Sequence, residues 1–306
     1  MIVATIGVGS NSVRMLVARI VCGELKPIAR DRAGTRIFAG LDESGNMDVT
    51  AMEDTIDAIV LQVNRARELE AQEITVFATS AVRDAANKQD FCDRVFERTG
   101  VRVEVLSGEK EAALSFLGAV ENAGYAGVID IGGGSTEVVI GDSEKFRYAF
   151  SHQMGAVRLF NCHKIDAVSD IDKVIRLADD ILAQGPACDA DRPAVWIGVG
   201  GTFTTLAAMV HHVVWTETAS VHGKKVTRAQ VRLAAEMLAS MTREERTQVV
   251  GMRPQRADIV VHGICILLSC MQMWDINEIT VSENGNLNGY LYEHYADLFT
   301  KNLHKK

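Results

Sequence analysis

Runs of hydrophobic residues stop and resume along this chain in a pattern that predicts an α/β protein. Val128 to Gly141 is the clearest stretch. A β-forming run, Val-Ile-Asp-Ile, stops at Gly132, Gly133 and Gly134, and another resumes after Ser135, Thr136 and Glu137. Run, turn and run read as a hairpin whose tip has three residues without side chains. The N-terminus has the same outline: Ile2 to Ile6 predicts a strand, Gly7 to Ser12 a turn, and Val13 to Val21 a second strand. Ile6-Gly7-Val8-Gly9 overlies Ile129-Asp130-Ile131-Gly132 at a spacing of 123 residues, which predicts a duplicated domain.

Between and after these hairpins the apolar spacing changes to the helical period. Met52, Ile56, Ile59, Val60, Val63 and Leu69 form one stripe behind a Thr50/Glu53 capping box. Ile74 to Ala78 reads as a strand, Gln89 to Arg98 as a helix, and Val101 to Leu106 as a strand. Ser107-Gly108 starts a helix running to about Ala123. In the second half, strands are expected at Phe146 to Phe150, Ala194 to Val199 and Glu278 to Val281. Helices are expected after Met154, from Asp170 to about Ala183, after Gly200-Gly201-Thr202, near 258–274, and from Leu287 to Phe299. Thr227 with Gln230 and Thr242 with Glu245 make further capping boxes. Strands alternating with helices point to α/β layers.

Composition narrows the class. A chain of 306 residues with 47% hydrophobic and 24% charged residues is long enough for two ordinary domains. Four prolines and no Gly/Ser or charge run leave no flexible linker between them. The six cysteines include no Cys-x-x-Cys pair and follow no secretory leader, so they read as reduced cytoplasmic thiols. The apolar segment Ile259 to Trp274 is too short for a membrane span and reads as a buried helix. A net charge of −8 argues against nucleic-acid binding, and a polyanion would need local basic groups to be drawn in. The residues do not fix the oligomeric state; a homodimer is one option.

Several places carry candidate chemistry. Backbone N–H groups of Gly132, Gly133 and Gly134 can converge on an anion, with Ser135 and Thr136 adding hydroxyls. Asp130, just before them, can hold a hydrated Mg²⁺ against bound phosphate, or be an ordinary hairpin residue. Ser10, Asn11 and Ser12 can contact phosphate or stabilise their own turn. Arg83 can grip a phosphate oxygen with its planar fork or join a surface ion pair. Glu111 can serve as a general base or favour the start of its helix. Gly200-Gly201-Thr202 can meet an anion at a helix N-terminus.

In combination these pieces resemble the exopolyphosphatase and guanosine pentaphosphate phosphohydrolase (Ppx/GppA) family. The resemblance is carried by Gly-Ser-Asn-Ser, Ala-Thr-Ser-Ala-Val-Arg-Asp-Ala, Leu-Ser-Gly-Glu-Lys-Glu-Ala, Ile-Asp-Ile-Gly-Gly-Gly-Ser-Thr-Glu, Met-Gly-Ala-Val-Arg-Leu and Gly-Val-Gly-Gly-Thr, in that order. Gly251-Met252-Arg253-Pro254, Arg256-Ala257-Asp258 and Val281-Ser282-Glu283-Asn284-Gly285 extend it. It implies two ribonuclease-H-like domains of the actin, Hsp70 and sugar-kinase superfold, with the active site in the cleft between them. The expected division is 1–118 with a returning C-terminal helix at about 287–306, and 119–286. By position, the family's general base falls on Glu111, its phosphate-gripping arginine on Arg83, and its metal carboxylates on Asp130 and Glu137. The implied metal is Mg²⁺ or Mn²⁺. The chain resembles the short two-domain form, without the channel associated with long polyphosphate.

Two positions depart from the family. Its first phosphate loop carries an Asp where this chain has Gly7, and the internal repeat marks the same gap, because Gly7 overlies Asp130. The family's Glu-Glu-Ala is Lys110-Glu111-Ala112 here. The expectation is hydrolysis of the terminal phosphoanhydride of polyphosphate, and also of guanosine pentaphosphate, by Glu111-activated water. The alternative is a degenerate member that binds polyphosphate or nucleotide as a sensor. An ATP-dependent kinase or chaperone of the same superfold fits less well, since Glu111 suits water activation.

Overall fold

The computed structural model describes residues 1–40, 44–120, 124–216 and 219–300. The chain divides into two compact units, one of residues 1–118 with the chain from Asn286 onward, the other of Ala119–Gly285.

The first unit is built on β1 (Ile2–Val8), β2 (Val13–Val21), β3 (Glu24–Ala33), β4 (Glu73–Ala78) and β5 (Val103–Val105), in sheet order β3-β2-β1-β4-β5. The first three strands form an antiparallel meander, and β4 and β5 add in parallel beside β1. β1 reads as an almost unbroken apolar run because it lies in the middle of the sheet, and Val3, Ala4, Ile6 and Val8 have no exposed surface. The helix Val49–Glu68 follows the meander; its cap is Asp48, whose carboxylate accepts from Ala51 N, rather than the Thr50 expected from the capping-box pattern. β3 has no strand signature in the sequence, because Glu24–Ala33 is mostly exposed and carries charges at both parities. The chain returns through the helix Asn286–His294, where Tyr290 stacks on Phe77 at 5.0 Å and donates to Glu104 at 2.6 Å.

The second unit repeats the plan with β6 (Ala126–Ile131), β7 (Thr136–Gly141), β8 (Phe146–His152), β9 (Trp196–Val199), β10 (Lys225–Thr227) and β11 (Glu278–Ser282). Its order, β10-β11-β9-β6-β7-β8, is the first unit's order with one antiparallel edge strand added. Both units are thus ribonuclease-H-like α/β layers. The apolar helix Val260–Met273 is buried almost along its whole length against the helix Ile171–Leu182 and the helix Arg228–Ala239. The Thr227/Gln230 and Thr242/Glu245 capping boxes are formed. The helix expected to run to about Ala123 spans Gly108–Ala119, and residues 121–123 lie outside the described residues. Among the described residues, no helix is long and apolar enough to cross a membrane.

Candidate active site

The two glycine-bearing turns have the same construction. Gly9 N donates to Ser12 O at 3.1 Å in the first, and Gly132 N to Ser135 O at 3.0 Å in the second. In each, the carbonyls at the tip are held by the chain that comes later. Phe38 N donates to Ser10 O and Arg36 N to Asn11 O at 3.1 and 3.3 Å. Ala156 N donates to Gly132 O, Val157 N and Arg158 N to Gly133 O, and Arg158 Nε to Gly134 O, at 2.7–3.0 Å. A trans peptide points its N–H away from its carbonyl. With the carbonyls of 132–134 facing the helix Ala156–Cys162, the amides of Gly133, Gly134 and Ser135 face the opposite side. Gly155 makes this possible, since a Cβ there would lie 2.4 Å from Gly133 C and O.

The hydroxyls divide into two kinds. Ser135 Oγ is buried and, among the described residues, has no hydrogen-bond partner, so it can still meet an anion. Thr136 donates to Met154 O at 2.7 Å, so its hydroxyl proton holds the chain leading out of β8. In the first unit, Ser10 Oγ lies 3.1 Å from Ser80 Oγ, and Ser10, Asn11 and Ser12 are all buried.

Asp130 and Glu137 stand directly opposite one another in the β6–β7 register. Partners in an antiparallel pair share a face of the sheet, so two buried carboxylates stand side by side on one face next to the turn. Ser151, opposite Glu137 on β8, donates to Glu137 Oε1 at 2.7 Å and fixes its orientation. Gly200, with φ of +100°, brings the start of the helix Gly201–Val210 against the pair; a Cβ there would lie 2.9 Å from Asp130 Oδ1. Two oxygen ligands on one face fit a hydrated hard cation, which commonly uses one or two carboxylates together with water and phosphate oxygens. No larger metal-holding cluster of His, Cys, Asp or Glu occurs among the described residues.

Arg83 and Glu111 meet in the first unit. The short helix Ser80–Arg83 follows β4, and Arg83 Nη1 donates to Glu111 Oε2 at 3.0 Å and to Leu106 O at 3.2 Å. Arg83 Nε lies 3.7 Å from Asp84 Oδ1, while Nη2 is buried without a hydrogen-bond partner among the described residues. Glu111 lies one turn into its helix, and the neighbouring Lys110 makes an ion pair with Glu293.

Gly7 occupies a crowded place. It pairs with Arg14 on β2 and Phe77 on β4, and a Cβ there would lie 2.9 Å from Phe77 Cζ and 3.1 Å from Leu287 Cδ2. The missing carboxylate is therefore matched by an aromatic ring and a leucine that fill its space. Arg14 belongs to no motif of its own, and its one signal in the chain is the spacing of 123, which aligns Gly7 with Asp130 and Arg14 with Glu137. Its Nη2 donates to Asn286 Oδ1 at 3.1 Å. Ser151 leaves no signal in the chain, and Arg158 stands there only as a member of the Met-Gly-Ala-Val-Arg-Leu motif, because their roles depend on register and on the path of the backbone.

The sequence profile of the Ppx/GppA phosphatase family matches residues 16–297. The chain belongs to that family. Exopolyphosphatase 2 of Mycobacterium tuberculosis is 31% identical over 94% of this chain and 96% of its own length. The guanosine-5'-triphosphate,3'-diphosphate pyrophosphatase of Vibrio cholerae is 28% identical over 96% of this chain, which spans only 59% of that protein. An exopolyphosphatase structure from Cytophaga hutchinsonii superposes with a TM-score of 0.87 at 28% identity, covering 97% of this chain and 98% of that one.

Proposed function

We propose that this Ppx/GppA member hydrolyses the terminal phosphoanhydride of inorganic polyphosphate, and of guanosine pentaphosphate as a second substrate. Arg83 carries the reading. One arm of its guanidinium orients Glu111 at 3.0 Å, and the other, buried and without a partner among the described residues, is left to receive a phosphate oxygen. Water held by Glu111 attacks the terminal phosphorus in line. Its proton passes to the carboxylate as the bridging P–O bond breaks, and the shortened chain leaves as the anion. The amides of Gly133, Gly134 and Ser135, with Ser10, Asn11 and Ser12, bind the non-bridging oxygens, while the Gly132 amide is spent on Ser135 O within the turn. Asp130 and Glu137 would hold Mg²⁺ or Mn²⁺, which supplies charge neutralisation for the phosphates when bound.

Glu111→Gln tests the base. The amide preserves shape and removes a negative charge from an anion site, so binding should persist while phosphate release falls roughly 10²–10⁴-fold. Retention of most activity by a folded variant would remove Glu111 from the mechanism. The second reading, a polyphosphate or nucleotide sensor with weak turnover, is favoured by Gly7, whose would-be carboxylate space is filled by Phe77 and Leu287. Calorimetric binding of polyphosphate without phosphate release above background would decide for the sensor.

A further inference from the structure

A cavity of about 390 Å³ lies wholly within the second unit and takes no part in the proposed hydrolysis. The chain after the helix Ala156–Cys162, the link between the helix Arg228–Ala239 and the helix Arg243–Thr247, and the start of the helix Val260–Met273 enclose it. Its volume falls within the range of small-molecule sites.

Arg246 is the unusual member of its wall. The residue is 7% exposed. Nε donates to Leu238 O at 2.6 Å and Nη1 to Ala257 O at 3.3 Å, which ties down two of the three nitrogens. Burial pulls its pKa down, and the charges of Asp166 and Asp258 oppose that only through space. A buried cation without a contacting anion is costly, and an anion in the cavity would relieve it. Lys164 and Arg243 line the same cavity, so three cations face two carboxylates. Lys164 Nζ sits 3.2 Å over the Phe160 ring.

His262 supplies a second, independent observation. Its Nε2 lies 2.8 Å from His163 O, and a carbonyl can only accept, so Nε2 carries the ring proton. Burial keeps the ring neutral, with its pKa lowered to about 4. Nδ1 is then a bare acceptor, buried and without a partner among the described residues, on a residue that lines the cavity. Phe160, Ile165 and Met241 add apolar surface.

We infer that this cavity binds a small organic anion carrying a hydroxyl or amino donor, its acidic group towards Arg246, Lys164 and Arg243 and its donor towards His262 or the two carboxylates. A carboxylate and a phosphate ester share this chemistry. Mandelate and glycerol phosphate, titrated calorimetrically into the full chain, separate them. One of the two should bind at a single site with millimolar or tighter affinity. Lys164→Glu combined with Arg243→Glu should weaken that binding at least tenfold and leave phosphate release from polyphosphate unchanged, because both residues are exposed at the rim. Ser240→Trp, which places a ring at the mouth, should block it by bulk. Absence of heat from both probes, or binding that both variants leave intact, overturns the inference. Because the readout is binding, the result stands apart from whether polyphosphate is the substrate.

Discussion

The two hairpins share turn length, turn hydrogen bond and the direction of their tip carbonyls, yet carry opposite chemistry where their strands begin to pair. In the second unit that rung is Asp130 opposite Glu137; in the first it is Gly7 opposite Arg14. One rung bears two carboxylates, the other a single cation. The neighbouring strands follow suit. Beside Asp130 the parallel strand ends in Val199 and then Gly200, which leaves room for the carboxylate; beside Gly7 it places the ring of Phe77. A duplicated scaffold thus retains the backbone that turns amides outward while only one copy keeps hard oxygen ligands for a cation. Under the proposed function, a metal would be held at the second hairpin, and the first would offer hydroxyls and amide groups.

The largest expected effect comes from the rung itself. Asp130→Asn should reduce phosphate release by on the order of 10²-fold or more at fixed Mg²⁺, because even partners one step removed from a metal change affinity by roughly 10–100-fold. Ser151→Ala, which frees Glu137 Oε1, should fall within that smaller range. Arg14→Ala should leave the metal requirement where it was. Mg²⁺ titrations of all three against phosphate release test the asymmetry, and an Arg14 variant as metal-deficient as the Asp130 variant would break it.

Next is Gly7→Asp. The sequence alone recommends this change as a repair, provided the backbone tolerates a side chain. The backbone does, since Gly7 is not among the glycines with positive φ, but the space does not. Phe77 is fully buried and stacked on Tyr290, so the ring cannot easily yield. Overpacking a filled core costs about 1–3 kcal/mol; Arg14, opposite on the same face, can pair with the new carboxylate but does not move the ring. Chemical denaturation should show this loss for Gly7→Asp and partial recovery for Gly7→Asp with Phe77→Leu. In the double variant, half-maximal activity should need less Mg²⁺. A single variant as stable as wild type would show that the ring is no obstacle.

Much of this was legible in the chain because it is local. Three glycines after a β-run, the spacing of 123 between Gly7 and Asp130, and capping boxes at Thr227 and Thr242 depend only on near neighbours in sequence. β3 was not legible, since an exposed edge strand with charges on both faces lacks the alternation by which strands are recognised. Nor was the filling of Gly7's space, which joins residues 7, 77 and 287. The ion pair of Arg83 with Glu111 links two motifs that the sequence offers separately, and only the fold brings one arm of the guanidinium onto that carboxylate.

The smallest expected effect concerns what lies behind each hairpin. Val13, the first residue of β2, pairs with Ala33, whereas its counterpart Thr136 pairs with His152. His152 is buried, lies 3.2 Å through Nε2 from the Tyr148 hydroxyl, and has its pKa pushed down to about 4 by desolvation. In the unfolded chain the imidazole titrates near its ordinary value of about 6.5. Between these values the unfolded chain holds a proton that the folded one refuses, so stability rises with pH across the window and is lost as pH falls from about 6.5 towards about 4. His152→Gln keeps a partner for Tyr148 and does not titrate. Denaturant unfolding of both proteins at pH 7 and pH 5.5 should show wild type losing about 1 kcal/mol more than the variant on acidification. His262, with a similar shift, is present in both proteins and cancels in the difference. Equal losses would mean that His152 stays neutral for a reason that survives unfolding, or that the second hairpin is no more acid-sensitive than the first.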